Sequence, residues 1–319
     1  MIYDRQEARK MWLTLIGFLA FFLIVPLFLG RYKLDLLTQT LIWSITAMSL
    51  DILMGYTGLP SIGHATYLGL GAYSTAILIS RYQGTFVGAL CLGTMVSAAS
   101  AAVFGLVALR AISHYFLLIT VALAMIVWGL ANHWVSFTMG DTGIANIPRP
   151  DFGLPWSLTD TLTFYYFTYL FFAIALILMF LIIRSPFGKT LVGIRESESR
   201  MRALGYNVWL HKYLVFIITG AFGGFSGVFW TYYTGFVNPT DVDIVNSLEV
   251  LLMVALGGSG TLFGAILGAG IIVFLKNLVS VYVERWMMIM GAIFALTAFY
   301  APDGIVGLVR QVFRRGARS

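Results

Sequence analysis

Cysteine is almost absent from this chain: of 319 residues only Cys91 is one, and it sits inside an apolar run. A disulfide framework and a cysteine-built metal site are thereby excluded. Charge is also scarce. Only 11% of residues are charged against 59% hydrophobic, and the mean hydropathy is +0.87. No globular core has room for that much apolar side chain, so lipid must solvate most of it. Catalytic patterns are missing as well. The sequence has no HExxH, no CxxC, no serine with a spaced histidine and aspartate in its polar loops, and no carboxylate pair at acid–base spacing. We expect no enzymatic activity, no metal and no cofactor.

What remains is a succession of apolar runs separated by short polar, glycine or proline breaks. Candidate spans lie near 11–30, 34–54, 61–80, 85–109, 115–137, 163–183, 213–235, 247–275 and 286–301. They are too long and too uniformly apolar for the alternating strands of an outer-membrane barrel. The expected fold is therefore all-α: a polytopic helical membrane protein of about 8–10 transmembrane helices. Met11 to Gly30 exceeds the apolar core of a typical secretory signal, and no small-x-small cleavage pattern follows it, so it reads as a retained anchor. Residues 1–319 read as one transmembrane domain.

The net charge of +6 reflects an uneven distribution of basic residues between loops, not nucleic-acid binding. With the N-terminus inside, the inner loops collect Arg5, Arg9, Lys10, Arg110, Arg184, Lys189, Arg195, Arg200, Arg202 and Lys212. Arg31, Lys33, Arg81 and Arg149 fall outside. The basic tail, Arg310 to Arg318, belongs inside too, which simple alternation does not allow. Segment 247–275 resolves the conflict, because Gly257, Gly258 and Gly260 break it. Two half-length pieces meeting at mid-membrane would enter and leave on the same side. Both termini are then cytoplasmic, and broken or re-entrant elements are expected near 55–64 and 257–261.

One charged stretch interrupts the grease, FGKTLVGIRESESRMRALG from Phe187 to Gly205. Its Gly188-Lys189-Thr190 resembles the end of a phosphate-binding loop. The first glycine such a loop requires is missing, since Ile183 occupies that position. An amphipathic surface helix fits better: Ile194, Met201, Leu204 and Val208 are spaced to share a face. Glu196–Arg200 and Glu198–Arg202 stand at i,i+4, and Gly205 is placed to stop the helix. Residues 185–211 thus form a cytoplasmic loop, either a solvated connector or a helix offered to a partner's groove.

The block SPFGKTLVGIRESESRMRALG resembles the cytoplasmic loop of permeases in branched-chain amino-acid ABC importers, through Ser185, Phe187, Gly188, Leu191, Ile194, Arg195, Glu196, Ser197, Glu198, Ala203, Leu204 and Gly205. Three further blocks resemble that family in order: GYTGLPSIGHA from Gly55, TMGDTGIANIP from Thr138, and the run from Asn238 to Ala269. Leu59, Asn146 and Ala265 stand where the family has glutamine, glycine and proline. The charged loop is closest to the M-type of the two paired permeases. The resemblance implies a bacterial inner-membrane subunit whose coupling residues are Arg195, Glu196, Glu198, Arg200, Arg202, Leu204 and Gly205. It further implies a second, homologous permease in a heterodimer, two cytoplasmic ATP-binding subunits and a periplasmic substrate-binding protein, which would meet the outer loop 138–162. Nucleic acid is not an expected partner.

SLDIL at Ser49–Leu53 recurs as SLEVL at Ser247–Leu251, each followed by a glycine-rich break. Broken helices of this kind line translocation paths. The candidate path residues are Asp51, Gly58, Pro60, Ser61, His64, Glu249, Gly257, Gly258 and Gly260. Asp51 and Glu249 are the acids most deeply set in apolar sequence, and each must face protein, water or a partner. They either line the path or brace the backbone of a broken helix. His64 admits the same two readings, substrate contact or structural hydrogen bonding. Urea, short amides and aromatic acids remain alternative cargoes, and an ion-coupled transporter using Asp51 and Glu249 is the rival mechanism.

Overall fold

The computed structural model describes residues 5–111, 114–153, 157–282, 286–300 and 304–307. It is a bundle of antiparallel helices: α1 (Arg5–Ile24), α2 (Arg31–Asp51), α3 (Ala65–Tyr82), α4 (Phe86–Ala108), α5 (His114–His133), a single turn α6 (Val135–Thr138), α7 (Thr161–Arg184), α8 (Pro186–Glu196), α9 (Glu198–Ala203), α10 (Val208–Thr234), α11 (Ile244–Gly257), α12 (Leu262–Tyr282) and α13 (Trp286–Tyr300). Six of the described helices are long and apolar enough to cross a membrane. The fold is the expected all-α polytopic one. Among the described residues the only extended pairing is an isolated bridge between Ile144 and Val237.

Helix α2 is the axis. Nearly all of it is buried, although it carries threonine and serine throughout. Those hydroxyls stay satisfied by bonding back one turn: Thr38 to the Leu34 carbonyl at 2.9 Å, Thr40 to Leu36 at 2.8 Å and Ser44 to Thr40 at 2.6 Å. Thr46 instead donates to Ser226 of α10 at 2.9 Å, and Ser226 donates to the Ile42 carbonyl at 2.7 Å. Such cross-helix bonds supply specificity where lipid offers no hydrophobic drive for association. Glycines bring α3 and α10 into backbone contact, since a Cβ at Gly71 would overlap Gly224 and one at Gly227 would overlap Leu68.

One end of the bundle carries α8 and α9. At the opposite end the loops are tied to one another. Arg149 stacks over Phe164 at 4.1 Å and donates to the Leu158 carbonyl at 3.0 Å. Tyr233 donates to Asp35 at 2.8 Å, and Trp230 donates to Asp241 at 2.8 Å. The run 115–137 expected as one span stops at His133, and the exposed Trp134 starts the separate turn α6.

Segment 247–275 is broken where expected, but not into two halves meeting at mid-membrane. Helix α11 has 14 residues, about 21 Å of helix, and α12 has 21, about 31 Å. The break lies against α8, at the end of the bundle, because α12 is long enough for a full traverse. The two legs still begin and finish at the same end. Basic tail residues Arg310 to Arg318 and Arg285 lie outside the described residues.

Candidate functional site

Two helix breaks meet under α8. The first follows a π-helical turn, Ile52–Tyr56, that ends α2. Gly55, Gly58 and Pro60 make continuation unfavourable, because proline removes a donor and pushes the preceding residue out of helical geometry. The second is Gly258–Thr261. Gly258 and Gly260 hold φ of +113° and +82°, a region costly for any residue with a Cβ.

Asp51 fastens the two together. Its Oδ1 accepts from the Gly260 amide at 2.6 Å, while its Oδ2 is buried without a partner among the described residues. Gly55 lies in the same knot, and a Cβ there would overlap both Asp51 Oδ1 and the Gly260 backbone. Arg195 closes it from α8. Its Nη1 donates to the Gly55 carbonyl, its stem lies over Gly58, and Nη1 would stand 3.2 Å from a Cβ on Gly260. One guanidinium thus bonds the first break and lies beside the second.

The rest of the charged stretch differs from the amphipathic helix expected. Ser197 takes φ −164° and divides it, capping α9 through the Arg200 amide. Ile194 is buried, whereas Leu204 is 70% exposed, so the anticipated shared face does not form. Glu196 and Arg200 fall on either side of the division and do not pair. Glu198 does pair with Arg202, at 3.3 Å, and also with Lys212 at the start of α10. Gly205, with φ +87°, ends the turn as expected. Leu204, Tyr206, Phe187 and Met201 border an open groove of about 510 Å³ on the outer side of α8 and α9.

The remaining path candidates separate into two groups. Ser61 and His64 are buried in the first break beside Pro60. His64 Nε2 lies 2.7 Å from Ser49 Oγ and its ring stands edge-on to Tyr67. Ser247, the counterpart of Ser49 in the repeat, accepts from the Ala65 amide at 3.2 Å, so both copies anchor the start of α3. Gly257 packs directly on Gly264 of α12. Glu249 reaches neither break. It is 4% exposed and pairs with Lys276 of α12 through both carboxylate oxygens, at 2.8 and 2.9 Å. Sequence reasoning missed Lys276 as a partner, since a lysine near the end of an apolar helix reads as one extending its head group to water. Gly55 stood out in the sequence as the head of the GYTGLPSIGHA block and the edge of the first break, but not as a residue packed on Asp51 and Gly260. No group of three metal-ligating side chains occurs among the described residues.

A many-helix membrane bundle with interrupted helices and a polar loop helix wedged against the interruptions is the architecture of a transport permease. The family described as "Branched-chain amino acid transport system / permease component" matches residues 32–298, and this chain belongs to it. The LivM high-affinity branched-chain amino acid permease of Salmonella typhimurium is 29% identical over 94% of this chain and 76% of its own length. The probable LivM of Methanocaldococcus jannaschii is 25% identical over 86% of this chain and 94% of its own. The guanosine ABC transporter permease NupQ of Bacillus subtilis is 28% identical over 54% and 58%. No solved structure matches the chain.

Proposed function

We propose that this chain is the permease subunit of an ABC importer for branched-chain amino acids. It works by alternating access in the bacterial inner membrane, with both termini and α8–α9 on the cytoplasmic side. Two separate ATP-binding subunits would seat on α8 and α9, and a second, homologous permease would complete a heterodimer. A periplasmic binding protein would deliver cargo to the outer loop, 138–162. The observation that carries this reading is the reach of Arg195 from the loop helix to both breaks. A displacement of α8 by a nucleotide-driven partner must act on the Gly55 carbonyl and, through Gly260, on Asp51.

In this reading the residues divide their labour. Leu204 and the outer groove present apolar surface to the partner, Glu198 with Arg202 and Lys212 holds the turn in place, and Arg195 passes the displacement inward. The test is uptake of labelled leucine by vesicles holding this chain with its neighbouring subunits. ATP-dependent uptake insensitive to a proton ionophore is expected. Uptake by this chain alone that collapses with the proton gradient would refute it in favour of an ion-coupled carrier. Guanosine, the cargo in the name of NupQ, is the second substrate to assay.

A further inference from the structure

Four buried hydroxyls among the described residues have no hydrogen-bond partner: Thr66, Tyr73, Thr94 and Thr168. Orphaned polar atoms are costly in a packed interior, and each calls for a reason. Other hydroxyls of α3 bond back one turn, Ser74 to the Leu70 carbonyl at 2.7 Å and Thr75 to Gly71 at 2.9 Å. Thr66 lies in the first turn of α3, with no helical carbonyl one turn behind it, and a tyrosine hydroxyl stands too far from its own backbone to bond back. Thr66 and Tyr73 share a face of α3, about 10.5 Å apart along the helix. Gly69 lies between them, and a Cβ there would overlap Val242 Cγ1. Val242 is fully buried and ends the 3-10 turn Pro239–Val242, which leads from α10 to α11. That turn is continuous with a segment tied to the outer loop. Ile144 and Val237 exchange backbone hydrogen bonds at 2.8 and 3.0 Å, and the Ile147 amide donates to the Gly235 carbonyl at 3.1 Å.

We infer that the face of α3 bearing Thr66 and Tyr73 is the outer half of the amino-acid route, and that Val242 is the plug that closes it. The inference rests on the branched-chain importer reading above. A partner seated on loop 138–162 acts on Ile144, through it on Val237 and the 3-10 turn, and so withdraws Val242 from Gly69. The uncovered hydroxyls then stand in for water around the head group of the cargo, because each can donate to a carboxylate or accept from an ammonium. They are too far apart to hold one head group together and act in succession. Being uncharged, they hold the cargo weakly enough to pass it on. Tyr73 belongs to a buried cluster with Ile77, Val127, Ile144 and Val242, which offers apolar surface to an aliphatic side chain.

Tyr73→Phe and Thr66→Val each remove one hydroxyl with little change of shape. In vesicles holding the complete transporter, each should raise the leucine KM about threefold to tenfold, the contribution of one neutral hydrogen bond. Stability should hold or rise, because an orphaned polar atom has gone. The plug is tested by a disulfide. In a Cys91→Ser background, Gly69→Cys with Val242→Cys sets the two Cβ atoms 3.1 Å apart, a few tenths of an ångström short of disulfide spacing. Oxidation should abolish leucine uptake and reduction should restore it. Leucine KM unchanged in both hydroxyl variants, or uptake undiminished once the disulfide has formed, would overturn the inference while leaving the importer reading intact. Absence of branched-chain amino-acid uptake by the wild-type assembly would overturn both.

Discussion

Replacing Gly55 by alanine adds one methyl group, and helix propensity alone makes it favourable by about 1 kcal/mol. The structure predicts the reverse. The new Cβ would fall on Asp51 Oδ1 and on the amide of Gly260, so the hydrogen bond between those groups must open. A hydrogen bond to a charged group contributes about 1.5–3 kcal/mol, and forcing a methyl into a packed interior costs about 1–3 kcal/mol more. After subtracting the propensity gain, the loss should be about 1.5–5 kcal/mol. Reversible unfolding of the protein in mixed micelles measures it. Gly129→Ala is the control, because a Cβ there meets nothing within 4 Å and should be neutral or slightly stabilising. Gly55→Ala should also loosen the grip of Arg195 on its carbonyl, so ATP hydrolysis in the assembled transporter should lose its link to uptake. Gly55→Ala as stable as Gly129→Ala would refute the description of the knot.

Three further outcomes are expected. Arg195→Glu should leave insertion intact but cut leucine uptake at least tenfold while ATP turnover continues, checked by parallel uptake and phosphate-release assays, because it reverses the charge beside Asp51. Asp51→Asn, which keeps an oxygen for the Gly260 amide, should retain more uptake and stability than Asp51→Leu, which leaves that amide unpaired. Lys276→Met should destabilise the fold, because it takes the cation away from the buried Glu249 carboxylate, measured by the same unfolding assay.

Much of the architecture was legible in residue order. Run length gave the helices, and the glycines at 257, 258 and 260 gave the second break. The basic count gave a loop arrangement in which 247–275 returns to the side it started from. The depth of that break was not legible, because composition does not say how a 29-residue apolar run divides between two legs. The charged stretch was misread as one helix for a similar reason. Periodicity places Ile194 and Leu204 on one face only if the helix is continuous, and Ser197 is as good a cap as it is an interior residue. Asp51 was identified by its setting, but its bond to Gly260 joins positions 209 residues apart, and Lys276 lies 27 residues from Glu249. Such pairings are decided by packing.

The joints flanking α8 are unequal. On its N-terminal side Ser185 alone separates it from α7, and that serine both caps α8 and closes the last turn of α7. On its C-terminal side come the kink at Ser197, α9, the turn at Gly205 and Asn207 before α10 begins. The strap across that gap is the ion pair of Glu198 with Lys212, a type that contributes about 1 kcal/mol or less when partly exposed. A force on α8 therefore meets a stiff side and a compliant one. It loads α7, which Tyr165 and Tyr169 lash to α1 through the Phe22 and Leu19 carbonyls. Helix α10, packed glycine to glycine against α3, meets α8 through the stack of Phe187 on His211 and not through a shared turn.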